Sequence, residues 1–290
     1  MTLAVRFWGV RGSVPSPGAH TVRYGGNTPC VEVRTPRGDV LVLDAGTGIR
    51  ALGNALVRDA GDAPVSAHLF VSHTHWDHIQ GLPFFAPLYR AGDRITVWSA
   101  PTLGVPVERA LREQMSSGVF PVPFERVRAQ IEFRELGDAP ADVGGVCLRA
   151  TRVRHPGGAV GFRVDGGGAR GTALVYIPDN ELDAGAPVDA PPGWRDALLS
   201  FARDAAVLIH DATYDGDDYP AHAGWGHSRA QDAVHLAIEA GVRRLVLFHH
   251  LPDRGDDDVD RLLDASRTLA AREGSALEVE AAAEGMTLAI

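Results

Sequence analysis

His73-Thr74-His75-Trp76-Asp77-His78 places four potential metal ligands within six residues, directly after the apolar run Ala67-His68-Leu69-Phe70-Val71. The run reads as a buried strand. If it ends near Ser72, the imidazoles of His73 and His75 leave an extended segment on the same side, because side chains alternate with period 2. Asp77 and His78 then fall where the chain turns toward Ile79-Gln80-Gly81-Leu82, so they can face a second ion. A surface loop can gather histidines by chance, and a lone His is more often structural than a ligand. A clustered HxHxDH after a strand has the density and spacing that a metal site needs.

Further candidate ligands also close apolar, strand-like runs. His155 follows Cys147 to Val153, Asp179 follows Ala173 to Ile177, His249 follows Leu245 to Phe248, and Asp44 closes Val40 to Leu43. Strand ends suit a rigid site, since the sheet holds the backbone while the loops shape a pocket.

In this order the residues resemble the pattern of the metallo-β-lactamase superfamily: an Asp at a strand end, HxHxDH, a separate His, an Asp and a final His. The match runs through Asp44, His73, His75, Asp77, His78, His155, Asp179 and His249 and spans nearly the whole chain. The resemblance implies an α/β protein, an αββα sandwich of two packed mixed sheets flanked by helices, with residues 1–290 as a single domain. It implies that His73, His75 and His155 hold one metal, that Asp77, His78 and His249 hold the other, and that Asp179 bridges them. Asp44 would orient a ligand imidazole through its other ring nitrogen. At His249-His250 the preferred ligand is His249, the first residue after the strand, with His250 expected to line the pocket. The bridging residue is not Cys, unlike the β-lactam-hydrolysing branch. HxHxDH without a Glu separates the chain from the flavodiiron branch.

The implied activity is that of a dinuclear metal-dependent hydrolase. Two ions about 3.5–4 Å apart can hold a bridging hydroxide that attacks a phosphodiester and can stabilise the leaving oxygen. Asp77 is counted among the catalytic groups for this reason as well as among the ligands. Imidazole and carboxylate ligands suit Zn²⁺, with Mn²⁺ and Fe as alternatives. Protonation of the leaving group points to His210-Asp211-Ala212-Thr213 and His227. That segment is similar to the His-Glu-Ala-Thr segment and later His of the tRNA 3′-processing endonuclease branch, with Asp in place of Glu. An Asp211–His227 pair would keep an imidazolium available near neutral pH. The alternative is that Asp211 caps a turn while His227 packs beside a helix.

Trp8-Gly9-Val10-Arg11-Gly12-Ser13 and Tyr24-Gly25-Gly26-Asn27-Thr28 resemble bacterial and phage cyclic-nucleotide phosphodiesterases of this fold, which brings Ser13 and Asn27 into the candidate pocket. The long arm by which tRNA enzymes hold their substrate is not apparent. The expectation is therefore hydrolysis of small cyclic phosphodiesters, foremost 3′,5′-cyclic nucleotides, to monophosphates. A tRNA 3′-processing endoribonuclease is the alternative, and a non-catalytic metal-stabilised binding protein a distant third.

Composition sets limits of its own. With 290 residues, 45% of them hydrophobic, the chain can bury a sizeable core. A net charge of −9 favours a small substrate over an extended nucleic acid, although the 28 basic residues, all Arg, could still form a local patch. The first residues read as a strand, not a signal peptide, and no apolar stretch reaches the roughly 18 residues of a membrane span. A cytoplasmic location, no membrane partner and a homodimer that could complete the pocket are the resulting expectations. Cys30 and Cys147 lack CxxC spacing and read as buried free thiols.

The remaining pattern predicts strands at Leu3 to Gly9, Thr28 to Thr35, Val40 to Asp44, Arg94 to Ser99, Ile131 to Glu135, Gly161 to Val164, Ala206 to His210, Arg244 to Phe248 and Leu277 to Ala282. Helices are predicted at Ile49 to Val57, near Val105 to Met115, and from Ser228 to Ala240, the last with a Ser228/Gln231 capping box and Gly241 as its stop. The acidic runs Asp215 to Asp218 and Asp256 to Asp258 read as solvated loops. Three segments look irregular enough to border a site: Val10 to Asn27, Ser116 to Phe124 in the manner of a lid, and Tyr214 to Gly226. The last would deliver His222 and His227 to the start of a helix, where an anion is favoured.

Overall fold

A computed structural model describes residues 2–100, 104–116, 118–166, 172–190 and 192–290. Ser117, within the expected lid, lies outside the described residues. The first sheet is built by β1 (Ala4–Gly9), β2 (Cys30–Arg34), β3 (Val40–Leu43), β4 (Ser66–Phe70), β5 (Arg94–Ser99) and β6 (Gln130–Glu135). The second contains β7 (Ala141–Val143), β8 (Val146–Val153), β9 (Ala159–Asp165), β10 (Ala173–Ile177), β11 (Val207–Asp211), β12 (Arg244–Phe248) and β13 (Glu278–Ala281). A last strand, β14 (Thr287–Ala289), returns to the first sheet and pairs antiparallel with β1.

Each sheet is half antiparallel and half parallel. In the first, β1 to β3 pair antiparallel and β3 to β6 parallel. In the second, β7 to β10 are antiparallel and β10 to β13 parallel. Parallel strands need crossovers, and these are helical: α1 (Ile49–Ala60) links β3 to β4, α4 (Trp194–Ala202) links β10 to β11, α5 (Ala230–Glu239) links β11 to β12, and α6 (Asp256–Arg272) links β12 to β13. Two further helices are α2 (Trp76–Ile79) and α3 (Val107–Gln114).

The expected sandwich is what forms, because β3, β10 and β11 are buried at every position and so need cover on both faces. Phe7, Phe70, Phe162, Tyr176 and Phe248 fill the layer between the sheets. Outside it, Leu198, Val234 and Leu263 pack helices on the second sheet, while Leu52, Leu56 and Leu111 do so on the first.

Several expectations need correction. The capping box at Ser228 and Gln231 does not form: α5 starts at Ala230, and the Ser228 hydroxyl instead donates to the Asn180 carbonyl and accepts from the Leu182 N–H. The tertiary bond takes the side chain that local pattern assigned to the helix. Asp256 to Asp258 are the first turn of α6, where acidic groups suit the helix dipole and Asp258 accepts from the Gly255 N–H. Val259, Leu262, Leu263 and Ser266 carry the helical period that the acidic start obscured. β7 and β14, only three residues each, were not anticipated. Both thiols are free, but only Cys30 is buried; Cys147 is half-buried.

Candidate active site

The carboxyl ends of the parallel strands converge on one rim, where open α/β sheets place ligands. Asp44 follows β3, His73 follows β4, Asp179 follows β10, Asp211 ends β11 and His249 follows β12. The turn after β4 leads into α2, which carries Asp77 and His78. His155 arrives from the end of β8.

Asp179 sits at the centre, with its two oxygens turned to different neighbours. Oδ2 lies 3.6 Å from Nε2 of His73 and 3.6 Å from Nε2 of His155. Oδ1 lies 3.1 Å from Nε2 of His78 and 3.4 Å from Nε2 of His249. Asp77 Oδ2 is 3.2 Å from both His78 Nε2 and His249 Nε2. His75 completes the first group, its Nδ1 2.9 Å from His155 Nε2. Three sets of atoms that could hold a metal result, His73/His75/His155/Asp179, Asp77/His78/His249 and Asp179/His227/His249, each within 4.8 Å internally; the first two match the ligand groups that the sequence resemblance implies, and the third brings His227 to their edge. His73 Nε2, His78 Nε2 and Asp179 Oδ1 are buried without a hydrogen-bond partner, the His78–Asp179 approach being close but not aligned as a bond. Buried polar atoms are normally paired, so unpartnered imidazole nitrogens and a carboxylate oxygen converging from several strands fit divalent cations.

The outward nitrogens of these imidazoles are held from behind. His78 Nδ1 meets Asp44 Oδ2 at 2.8 Å, and the same carboxylate accepts from the Ser72 N–H, the Ser72 hydroxyl and the Tyr176 hydroxyl. His155 Nδ1 donates to the Gly226 carbonyl at 2.9 Å, and His249 Nδ1 lies 3.0 Å from the Thr213 hydroxyl. Such bonds orient a ligand ring and choose its tautomer. Asp44 and His249 both hold left-handed backbone, φ 62° and 60°, strained for non-glycine residues and maintained here by the surrounding bonds. Close approach also demands small neighbours. A Cβ at Gly12 would stand 2.3 Å from the His249 ring, and one at Gly226 would stand 2.3 Å from His155 Nδ1.

Asp211 and His227 pair directly, Oδ2 to Nδ1 at 2.7 Å, so the shorter acid reaches its partner. Its carboxylate also accepts from the Asn180 N–H and from the N–H and hydroxyl of Thr213. The turn-capping alternative therefore describes the other oxygen of the same residue. The His227 ring stacks on His249 at 4.7 Å and stands edge-on to His155 at 5.2 Å, which puts it against both ligand groups.

Charge follows this geometry. Burial alone would push His227 down, yet Asp211, with Asp179 and Asp77 behind it, raises the imidazole to about 9. Burial lowers His155 to about 4 and holds His73 well below the ordinary histidine value. Both rings are thus neutral, the form that binds a metal. Burial opposes ionisation of Asp179, but His249, His78 and His73 hold its carboxyl well below the usual range. His78, opposed by its burial but surrounded by Asp179, Asp77 and Asp44, is raised.

The other sequence-derived candidates lie at varying remove. Ser13 reaches the cluster through its backbone, its N–H donating to Asp77 Oδ2 at 2.8 Å. Asn27 is tied to Glu284 and Thr47 and lines a groove beside α2. His222 stacks on Tyr214 and stays outside the ligand groups. His250 does not line the pocket: it is buried, its Nε2 lies 2.8 Å from the Ala282 carbonyl, its ring meets Tyr24, and burial lowers it to about 3. The left-handed backbone at His249, just past the end of β12, turns His250 away from the ligand groups. Of the expected lid, Phe124 is buried and Phe120 packs edge-on against Phe84.

Sequence reading missed Tyr176 and Glu181, and named Thr213 only within its segment, without the role it has behind Asp211 and His249. Tyr176 is the one hydroxyl in an otherwise apolar strand, a detectable oddity. The buried Glu181 carboxylate accepts from the Tyr219 hydroxyl and from the N–H groups of Gly224 and Gly226, fixing the loop that carries His227. Nothing local to Glu181 announces this, because its partners lie about forty residues away.

This site and fold define a dinuclear metal-dependent hydrolase. The chain belongs to the β-lactamase superfamily: the family model described as Beta-lactamase superfamily domain matches residues 40–250. It is 31% identical over 288 residues to a protein named Ribonuclease Z from Halobacterium salinarum, covering 86% of this chain and 87% of that one. Among solved structures, yeast PDE1 superposes with a TM-score of 0.71 at 14% identity, covering 100% of this chain and 99% of that chain. The human tRNase Z short form superposes with a TM-score of 0.65 at 19% identity, covering 98% of each chain. Among the described residues no helix is long and apolar enough to cross a membrane.

Proposed function

We propose that the protein is a metal-dependent phosphodiesterase of the ribonuclease Z kind, which cleaves RNA in 3′-end processing. The observation that carries this reading is the Asp211–His227 pair at 2.7 Å beside the two ligand groups. It is the acid–histidine arrangement that the sequence resembles, and the Ribonuclease Z relative across 86% of the chain supports it. The order of expectations from sequence is thereby reversed: the endoribonuclease moves ahead of cyclic-nucleotide hydrolysis, and nucleic acid returns as a partner.

Two divalent ions, zinc by ligand type with manganese or iron as alternatives, would neutralise the phosphodiester and lower the pKa of water at the site. His73, His75 and His155 would hold one, Asp77, His78 and His249 the other, with Asp179 shared. Asp211 accepts at Nδ1 of His227, which leaves the proton on Nε2 for the departing oxygen. Thr213 and the Asn180 N–H keep the Asp211 carboxylate in that orientation.

Small cyclic phosphodiesters remain the second reading, favoured by the net charge of −9 and by the lack of a long Gly/Pro/Lys-rich insertion in a chain without lysine. Incubating metal-loaded protein separately with precursor tRNA and with 3′,5′-cyclic nucleotides decides between them. Removal of the 3′ trailer with little cyclic-nucleotide turnover is expected. The opposite preference would overturn the endoribonuclease reading, and cleavage of carboxylic or sulfate esters alone would overturn both.

A further inference from the structure

Along α2, the helix that carries Asp77 and His78, runs a groove of about 410 Å³ whose lining includes Asn27, Thr47, Arg50, Trp76, Gln80 and Phe84. Trp76 is 71% exposed and Phe84 56%, although large aromatic side chains are usually well covered. Trp76 stands in the chain between His75 of one ligand group and Asp77 of the other, so the groove and the ligand groups share the same turn of chain. The groove is built on the same backbone as the site: the Gly81 N–H donates to the Ala45 carbonyl, one residue after Asp44. Phe84 is held from behind by Phe120, edge-on at 5.5 Å. Among the described residues the Arg50 guanidinium forms no ion pair or side-chain hydrogen bond.

We propose that this groove is a nucleobase subsite, in which the base of the nucleotide flanking the cleaved phosphodiester stacks on Trp76 and Phe84 while Arg50 faces its sugar–phosphate. The assignment rests on the phosphodiesterase reading and deepens it. Exposed aromatic faces next to an unpaired guanidinium suit a flat, polar-edged ring attached to an anion. A purely apolar ligand would leave the guanidinium unused. The amide of Asn27 is committed to Glu284 and Thr47, and Gln80 donates to Thr28, so few polar groups remain to read a base edge. The subsite therefore holds bases by stacking, with little sequence preference.

Calorimetric titration of metal-loaded protein with adenosine 5′-monophosphate, ribose 5-phosphate and adenosine tests the proposal. The base should tighten binding of the monophosphate over ribose 5-phosphate by roughly 5- to 150-fold, the worth of one stacked base. Trp76→Ala should erase that ratio and Trp76→Phe should keep most of it. The exposed position makes misfolding an inadequate explanation, and an unchanged melting temperature would exclude it. With 3′,5′-cyclic AMP and precursor tRNA as substrates, Trp76→Ala should raise KM for whichever of them is hydrolysed. Equal binding of the two phosphates by the parent protein, or a ratio untouched by Trp76→Ala, would overturn the subsite even if phosphodiesters are hydrolysed. A Trp76→Ala protein that changed only its sedimentation would assign the face to a second copy instead. If the phosphodiesterase reading alone is wrong, the monophosphate still binds more tightly than ribose 5-phosphate, through Trp76, and no phosphodiester is cleaved.

Discussion

His227 Nδ1 meets Asp211 Oδ2 at 2.7 Å, while Oδ1 of the same carboxylate holds the N–H and hydroxyl of Thr213. The imidazole is thus fixed in one orientation and kept protonated. Loss of a general acid costs typically about 10²–10⁴ in rate. His227→Ala should show that loss on RNA with its metal content intact. A p-nitrophenyl phosphodiester, whose leaving group departs without a proton, should be affected far less; equal damage to both substrates would exclude the acid role.

The pair also sets a pH limit. A general acid works while protonated, so the rate falls as pH rises through the pKa of His227, which lies near 9 with Asp211 ionised beside it. Asp211→Asn removes the largest group that raises it, so the alkaline limb of the kcat profile should move to lower pH. An unmoved limb would assign it to another group.

Metal content should approach about two ions per chain in protein purified without chelator. His75→Ala should lower it, and Asp179→Ala should lower it further, because one carboxylate faces both ligand groups. Metal binding must displace a proton from His78, which its three carboxylate neighbours hold in the charged form against its burial. Affinity should therefore fall as pH is lowered, as measured by competition with a chromophoric chelator. A fully loaded His75→Ala protein would break the proposed grouping.

Asp44 gathers four donors in the interior, from Ser72 twice, Tyr176 and His78. Asp44→Ala would strand them and should cost about 3–5 kcal/mol of stability. Tyr176→Phe removes a single bond and should cost about 1 kcal/mol, leaving a folded protein. Metal affinity should drop some 10–100-fold when the support behind His78 is lost. Denaturant unfolding of the two variants, with and without metal, separates the effects.

Gly12 leaves no room for a side chain against the His249 ring. Gly12→Ala should displace that ring and reduce metal occupancy, whereas Gly118→Ala, where no atom lies within 4 Å, should leave it unchanged. Equal occupancy in the two variants would show that His249 is not needed as a ligand.

What the sequence determined by itself is local chemistry and period. The HxHxDH run, the apolar strands that precede Asp44, His155, Asp179 and His249, and the two-residue alternation of β-structure are all written in adjacent residues. They suffice for the candidate ligands, and the resemblance those residues carry implies the sandwich. The tertiary structure decided whatever depends on atoms distant in sequence but close in space. His249 and His250 are equivalent as letters, and only the strand's direction at the rim turns one to Asp179 and the other to Ala282. Ser228 reads as a helix cap until the Asn180 carbonyl claims its hydroxyl. Whether Asp211 reaches His227 depends on the spacing between β11 and a loop anchored by Glu181, which leaves Oδ2 2.7 Å from Nδ1. A hydrogen bond is decided at that scale, whereas hydrophobic patterning specifies which face is buried and leaves the final placement to packing.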